Sequence, residues 1–186
     1  MRRRLTRITT KTGDAGKSGL VDGSRRDKTD AVFAALGDID ELNSAIGVAV
    51  EQIRDDALRA LLTGVQSRLF DLGGVVATPG ANAAFDGEVA ELEASIQKIN
   101  ADLPALANFI LPGGDPGAAL LQLARAVCRR AERALWRELA DRGADTSGAV
   151  YLNRLSDLLF VAARHVNRAA GREEPLWQPR AARESE

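Results

Sequence analysis

The chain has 186 residues, 45% of them hydrophobic and 4% aromatic, and its 25 Lys and Arg against 26 Asp and Glu leave a formal charge of -1. One domain with a sizeable core fits that length, and the balanced charge provides no broad cationic field for nucleic acid. No apolar run reaches membrane-spanning length, and one Cys with one His excludes an internal disulfide and a multi-histidine metal site.

The first 28 residues read as a non-periodic arm. The opening MRRRLTRITTKTGD lacks the apolar stretch of a secretory signal, which makes the cytoplasm the expected location. TKTGDAGKSG at 10–19 carries a Gly-Lys-Ser, but a mononucleotide loop needs a glycine four intervening residues earlier. Lys11 occupies that place, and Gly13 stands too close. Four arginines interrupt the segment upstream, so no strand buried on both faces enters the loop. What remains is local chemistry: glycine-freed backbone N–H groups, the hydroxyls of Thr10, Thr12 and Ser18, and the ammonium groups of Lys11, Lys17 and Lys28. Such a set is read either as a polyphosphate-holding loop or as a flexible polar arm.

From Val32 the pattern changes. Val32, Leu36, Ile39, Leu42, Ile46, Ala49 and Ile53 fall at the three-and-four spacing of a helix face. Leu58, Leu61, Val65, Leu69, Leu72 and Val76 repeat it, until TPGAN at 78–82 stops the second helix. Val89, Leu92, Ile96 and Ile99 make a shorter third helix before Pro104, and an irregular apolar segment, ANFILPGGDPG at 107–117, follows. A fourth helix runs from Ala118 to Leu139 with Leu121, Ala124, Val127, Cys128, Ala131 and Leu135 on one stripe. The fifth begins at Tyr151 or Leu152 and ends near Val166. The expectation is all-α: a five-helix antiparallel bundle over 29–170, preceded by the arm at 1–28 and followed by a polar, frayed tail at 171–186.

On a helical wheel at about 100° per residue, Arg125, Arg129, Glu132 and Trp136 of the fourth helix share a strip beside the apolar stripe, while Arg130, Arg133 and Arg137 point further toward solvent. A charge at the edge of a helix seam is partly desolvated, so Arg125 and Arg129 need anionic partners. Asp40 and Asn43 on the first helix, and Asn153, Asp157 and Arg164 on the fifth, border their own apolar faces. Structural ion pairs between helices and an anion-binding site are both open on these residues. Cys128 reads as core, and His165 as a packed or surface histidine.

TKTGDAGKSGL at 10–20, GDIDELNSAIG at 37–47, NFILPGG at 108–114, RAVCRRAER at 125–133 and YLNRLSDLLF at 151–160 resemble, in order and spacing, the PduO-type ATP:cob(I)alamin adenosyltransferases. The resemblance implies a ferritin-like five-helix bundle assembled as a homotrimer, with ATP and its Mg2+ held between neighbouring subunits. By similarity Thr10, Lys11, Thr12, Gly13, Ser18, Gly19 and Lys28 surround the ATP from one subunit, while Arg129, Arg130, Glu132, Arg133 and Asn153 supply the other wall. Arg129 matches the family's catalytic arginine, Asp40 and Arg125 match an intersubunit salt bridge, and Phe109 matches an aromatic residue lining the corrinoid pocket. No dedicated protein metal site is implied. Gly19 departs from the pattern, since the family often carries a second hydroxyl residue there. Trp177 reads either as a cap on the corrinoid pocket or as part of a disordered tail.

The implied chemistry needs no protein nucleophile. Co(I) of the reduced corrinoid attacks the 5′ carbon of ATP, and triphosphate departs with the bonding electron pair. The protein positions the reactants and offsets the charge growing on the leaving group. A reductase is implied as an electron donor. The absence of an acid–base pair leaves open a nucleotide- or corrinoid-binding bundle that transfers nothing, and a third reading is a structural oligomerisation bundle whose charges only make interfaces.

Overall fold

Five aliphatic stripes become five helices, and the way they flank one another decides where the charged residues go. The computed structural model describes residues 9–81, 84–106, 108–140 and 145–180. Within them a hairpin of β1 (Lys17–Gly19) and β2 (Arg25–Asp27) precedes α1 (Ala31–Val50), α2 (Asp56–Val76), α3 (Asp86–Asn100), α4 (Pro116–Ala140) and α5 (Ser147–Ala169). Residues 1–8 of the expected arm, Asn82, Ala107 and residues 181–186 of the tail lie outside the described residues.

α1 packs against α2 and α4, α4 against α5, and α5 against α3, so α4 has a neighbour on each flank. α1 and α4 are antiparallel: Gly117 at the start of α4 lies against Gln52 and Ile53, just past the end of α1. Leu42, Ile46, Leu62, Leu69, Leu121, Leu135, Leu152, Leu155 and Leu158 are fully buried between the helices. α3 lies at the edge, with Leu92 buried and Val89, Ile96 and Ile99 partly so. Its start is fixed to that of α5, where the Phe85 N–H donates to Ser147 Oγ at 2.8 Å and the Phe85 and Tyr151 rings lie 5.6 Å apart. Gly148 leaves room for the Leu72 side chain of α2, which a Cβ there would meet at 2.7 Å. Among the described residues no helix is long and apolar enough to cross a membrane.

Three sequence expectations are corrected. The first helix stops at Val50 rather than Ile53. Ile53 is buried, but from the turn that follows. The arm is not wholly irregular: Lys17 pairs with Asp27, Ser18 with Arg26 and Gly19 with Arg25 in antiparallel register. Alternation could not reveal these strands, because their side chains are mostly exposed and no apolar face is needed. Gly16 and Gly23, at φ 75° and 84°, supply the bends, and the Val21 N–H fastens the hairpin turn to the Ala77 carbonyl at the end of α2, at 3.0 Å. Nor is the tail frayed from Gly171, since Leu176 bridges to Ile110.

Asp55 begins α2. Its Oδ1 accepts from the Ala57 and Leu58 N–H groups at 2.9 and 3.0 Å, while Oδ2 lies 3.0 Å from His165 Nε2 on α5. The Leu58 backbone bond, then the His165 bond, hold the Asp55 carboxyl below its ordinary value. Asp55→Ala is expected to destabilise the fold by about 1–2 kcal/mol, measured by denaturant unfolding at neutral pH. Because the folded carboxyl is the stronger acid, its contribution is full above the unfolded pKa of about 4 and fades as pH falls through the lower folded value. The difference between wild type and Asp55→Ala should therefore shrink on acidification below about pH 4.

Candidate functional site

Two cationic elements and one aromatic corner hold the residues singled out above. In the arm, Thr10 Oγ1 and Thr12 Oγ1 are 3.0 Å apart and exposed, and Lys11 takes a left-handed φ of 58°. Tight turns follow, from the Asp14 N–H to the Lys11 carbonyl and from the Gly16 N–H to the Gly13 carbonyl. Gly13 faces the Lys28 ammonium so closely that a Cβ would stand 3.1 Å from Nζ. The Lys28 N–H returns to the Gly16 carbonyl at 2.8 Å. The loop is closed by a residue that sequence reasoning passed over: Arg25 donates to the Thr12 and Lys17 carbonyls at 2.5 and 2.9 Å. Its cross-strand position opposite Gly19 places the guanidinium inside the loop, and only hairpin register gives that signal. Thr10, Lys11, Thr12, Gly13, Ser18, Gly19 and Lys28 are thus gathered on one closed loop, with their hydroxyl and ammonium groups mostly turned outward.

On α4 the expected division of the arginines is corrected. Arg130, expected in solvent, crosses the α1 seam: its Nε donates to Asp38 Oδ1 at 3.1 Å and its Nη2 to Glu41 Oε2. Arg129, expected on the seam, is exposed, and its guanidinium makes no hydrogen bond or ion pair among the described residues. The reason is that α4 is wedged between two helices and has two seams, where a single-stripe wheel shows one. Glu132 does face a seam, accepting from Asn153 Nδ2 of α5 at 3.2 Å. Asn153 also accepts from Arg154, which reaches Glu93 of α3 at 2.7 Å. Arg133 bonds the Arg129 carbonyl at 2.9 Å and remains exposed.

Arg125 donates to Gln122 of its own helix at 2.7 Å, and Asp40 on α1 is exposed, so the two do not meet within the chain. Asn43, expected opposite the arginines, is buried toward α2, where it and Gln66 exchange side-chain-to-carbonyl bonds at 3.1 Å. Arg164 is likewise buried elsewhere. Cys128 is core, its thiol donating to the Leu152 carbonyl, and burial pushes that thiol far up, with Glu132 adding to the effect and Arg129 opposing it. Among the described residues no group of three or more His, Cys, Asp or Glu side chains is arranged to hold a metal ion.

Phe109 is 78% exposed, on the segment between α3 and α4. Asn167 of α5, buried, holds that segment: its Oδ1 accepts from the Asp115 N–H at 2.8 Å, and its Nδ2 donates to the Gly113 carbonyl at 3.0 Å. Asp115 then accepts from the Gly117 N–H, opening α4 with Pro116 in its first turn. The tail lies alongside. The Trp177 N–H donates to the Phe109 carbonyl at 2.7 Å, the Leu111 N–H to the Pro175 carbonyl at 2.8 Å, and the two rings meet edge to face at 6.3 Å. A cavity of about 310 Å³ bounded by Leu58, Leu61, Lys98, Ile99 and His165, and a groove of about 590 Å³ between α2 and α3, include none of these site residues.

The sequence model of the cobalamin adenosyltransferase family matches residues 8–166. A cobalamin adenosyltransferase of Cupriavidus metallidurans is 49% identical over 96% of this chain and 97% of its own length. A corrinoid adenosyltransferase of Mycobacterium bovis is 43% identical over 94% of each. The fold matches a phenylalanine-to-alanine variant of a PduO-type ATP:corrinoid adenosyltransferase from Lactobacillus reuteri, complexed with cobalamin and ATP, with a TM-score of 0.89 and 32% identity over 93% of this chain and 100% of that one.

The Phe109 segment depends on a glycine at one point. Gly114 has φ 102°, and a Cβ there would lie 2.1 Å from Asn167 Oδ1. Gly114→Ala is expected to lower stability by about 1–3 kcal/mol from backbone strain alone. Expulsion of Asn167 adds to this, and equilibrium unfolding in urea measures the sum.

Proposed function

The chain belongs to the cobalamin adenosyltransferase family, and on that premise we propose that it is an ATP-dependent transferase that moves the 5′-deoxyadenosyl group of ATP to cob(I)alamin, giving adenosylcobalamin and triphosphate. The Co–C5′ bond forms as the C5′–O5′ bond breaks, and its electron pair leaves with the triphosphate. The observation that carries the reading is a family match that takes in arm, α4 and α5 together, residues 8–166.

ATP is held, in this reading, by Thr10, Lys11, Thr12, Gly13, Ser18, Gly19 and Lys28 of one subunit and by Arg129, Arg133, Glu132 and Asn153 of the next. The arm's support is its closed, outward-turned loop. The support for Arg129 as the catalytic residue is its exposed guanidinium, free among the described residues to meet the triphosphate as charge accumulates on it. Arg130 belongs to the same wall but must first exchange Asp38 and Glu41 for phosphate. Glu132 and Asn153 reach the nucleotide as an already bonded pair.

A homotrimer completes the site. An exposed Asp40 and an Arg125 whose one side-chain hydrogen bond among the described residues goes to Gln122 are the charges expected of a salt bridge between subunits. Mg2+ arrives on the triphosphate, a reductase supplies Co(I), and the reaction takes place in the cytoplasm. Phe109 forms a wall against the corrinoid, where an aromatic side chain excludes water and offers cobalt no lone pair.

The anaerobic assay with ATP, Mg2+ and chemically reduced cobalamin should produce the light-sensitive adenosylcobalamin spectrum, and binding of both ligands without triphosphate release would favour a non-catalytic bundle instead. Arg129→Ala is expected to cost at least about 10²–10³-fold in kcat with the oligomer unchanged by sedimentation. Near-normal turnover would remove the catalytic assignment. Asp40→Ala should instead shift the sedimentation profile toward smaller species or raise the KM for cobalamin, and wild-type values in both would dismiss the intersubunit bridge.

A further inference from the structure

Arg164 is an arginine in the bundle core, 4% exposed, at a position where an apolar side chain would avoid the cost of desolvating a guanidinium. Among the described residues, its side-chain bonds lead away from α5. Nε contacts both carboxylate oxygens of Glu174 at 3.0 and 3.1 Å, and Nη2 donates to the Pro104 carbonyl at 2.8 Å. One buried cation therefore grips the two segments that carry the exposed aromatic corner: the α3–α4 connection through Pro104 and the tail through Glu174.

Next to Glu174, the Pro175 carbonyl accepts the Leu111 N–H, and two residues later the Trp177 N–H reaches the Phe109 carbonyl while Asn108 Nδ2 donates to the Trp177 carbonyl at 2.7 Å. Those bonds are exposed to water, and each is worth little alone. Packing adds the edge-to-face contact of Phe109 with Trp177, but beside Arg164 a cleft of about 550 Å³ bounded by Leu103, Pro104, Leu106 and Leu176 leaves the base of the tail loosely packed. The ion pair of buried Arg164 with partly buried Glu174 is the anchor that water competes with least.

We infer that Arg164 is a positioning residue that, through Glu174 and Pro104, holds the tail against the 108–112 segment so that Phe109 and Trp177 form one preformed aromatic wall for the corrinoid. This rests on the corrinoid role proposed for Phe109. It assigns to the Arg164–Glu174 pair a task in substrate affinity: a wall ordered before binding spares the corrinoid the entropy of ordering it.

Glu174→Gln tests it, because Glu174 lies on the tail and its loss leaves the helix core in place. Trp136 and Trp177 are the two tryptophans, so a Trp136→Phe background makes Trp177 the reporter. The expected result is lower fluorescence anisotropy and stronger acrylamide quenching of Trp177, a KM for reduced cobalamin raised at least about fivefold, an unchanged KM for ATP, and partial recovery in Glu174→Asp. Unchanged Trp177 fluorescence would overturn the inference, as would a looser Trp177 with wild-type KM for cobalamin, or a parallel rise in both KM values. If the unsubstituted protein formed no adenosylcobalamin, the proposed function would fail by itself, and the fluorescence arm would still decide whether the pair holds the tail.

Discussion

The position of α4 between α1 and α5 is the constraint on which the rest depends. Its stripe of Ala118, Leu121, Ala124, Cys128, Ala131 and Leu135 is buried, and small residues at that face let two helices approach it at once. A helix flanked on both sides has two polar borders. Both are used structurally, the α1 side by Arg130 with Asp38 and Glu41 and the α5 side by Glu132 with Asn153. Arg129 lies between those commitments and is left exposed. The fold thus separates neighbouring arginines into a structural cation and an available one without changing residue type.

The segments around the bundle are ordered by a different principle. Each buries little apolar surface of its own, Phe109, Leu111, Leu176 and Trp177 being exposed, and each is tied by a polar side chain. Arg25 closes the arm on the Thr12 and Lys17 carbonyls. Asn167 fixes the Gly113–Asp115 turn, and Arg164 draws in the tail. Multidentate anchoring of this sort orders backbone while leaving the rest of the segment exposed.

The helical bundle was legible in the sequence because burial of one face imposes a three-and-four periodicity: the four stripes read from it fall in α1 to α4, Ile53 excepted, and the fifth helix forms but starts at Ser147 rather than Tyr151 or Leu152. The arm's chemistry was legible as residue types, Thr, Lys and Gly in a short span. The hairpin was not, since exposed strands leave no alternating imprint. Nor were the tail's pairing with Ile110, the roles of Arg25, Arg164 and Asn167, or the true partners of Arg130 and Asn43. These depend on side chains meeting across tens of residues, and helical period records which way a residue points but not what stands opposite. The sequence by itself therefore determined the secondary elements and the kinds of groups available. Tertiary structure alone decided which charges are consumed in holding helices together and which remain for a ligand, because pairing is a property of distance between elements.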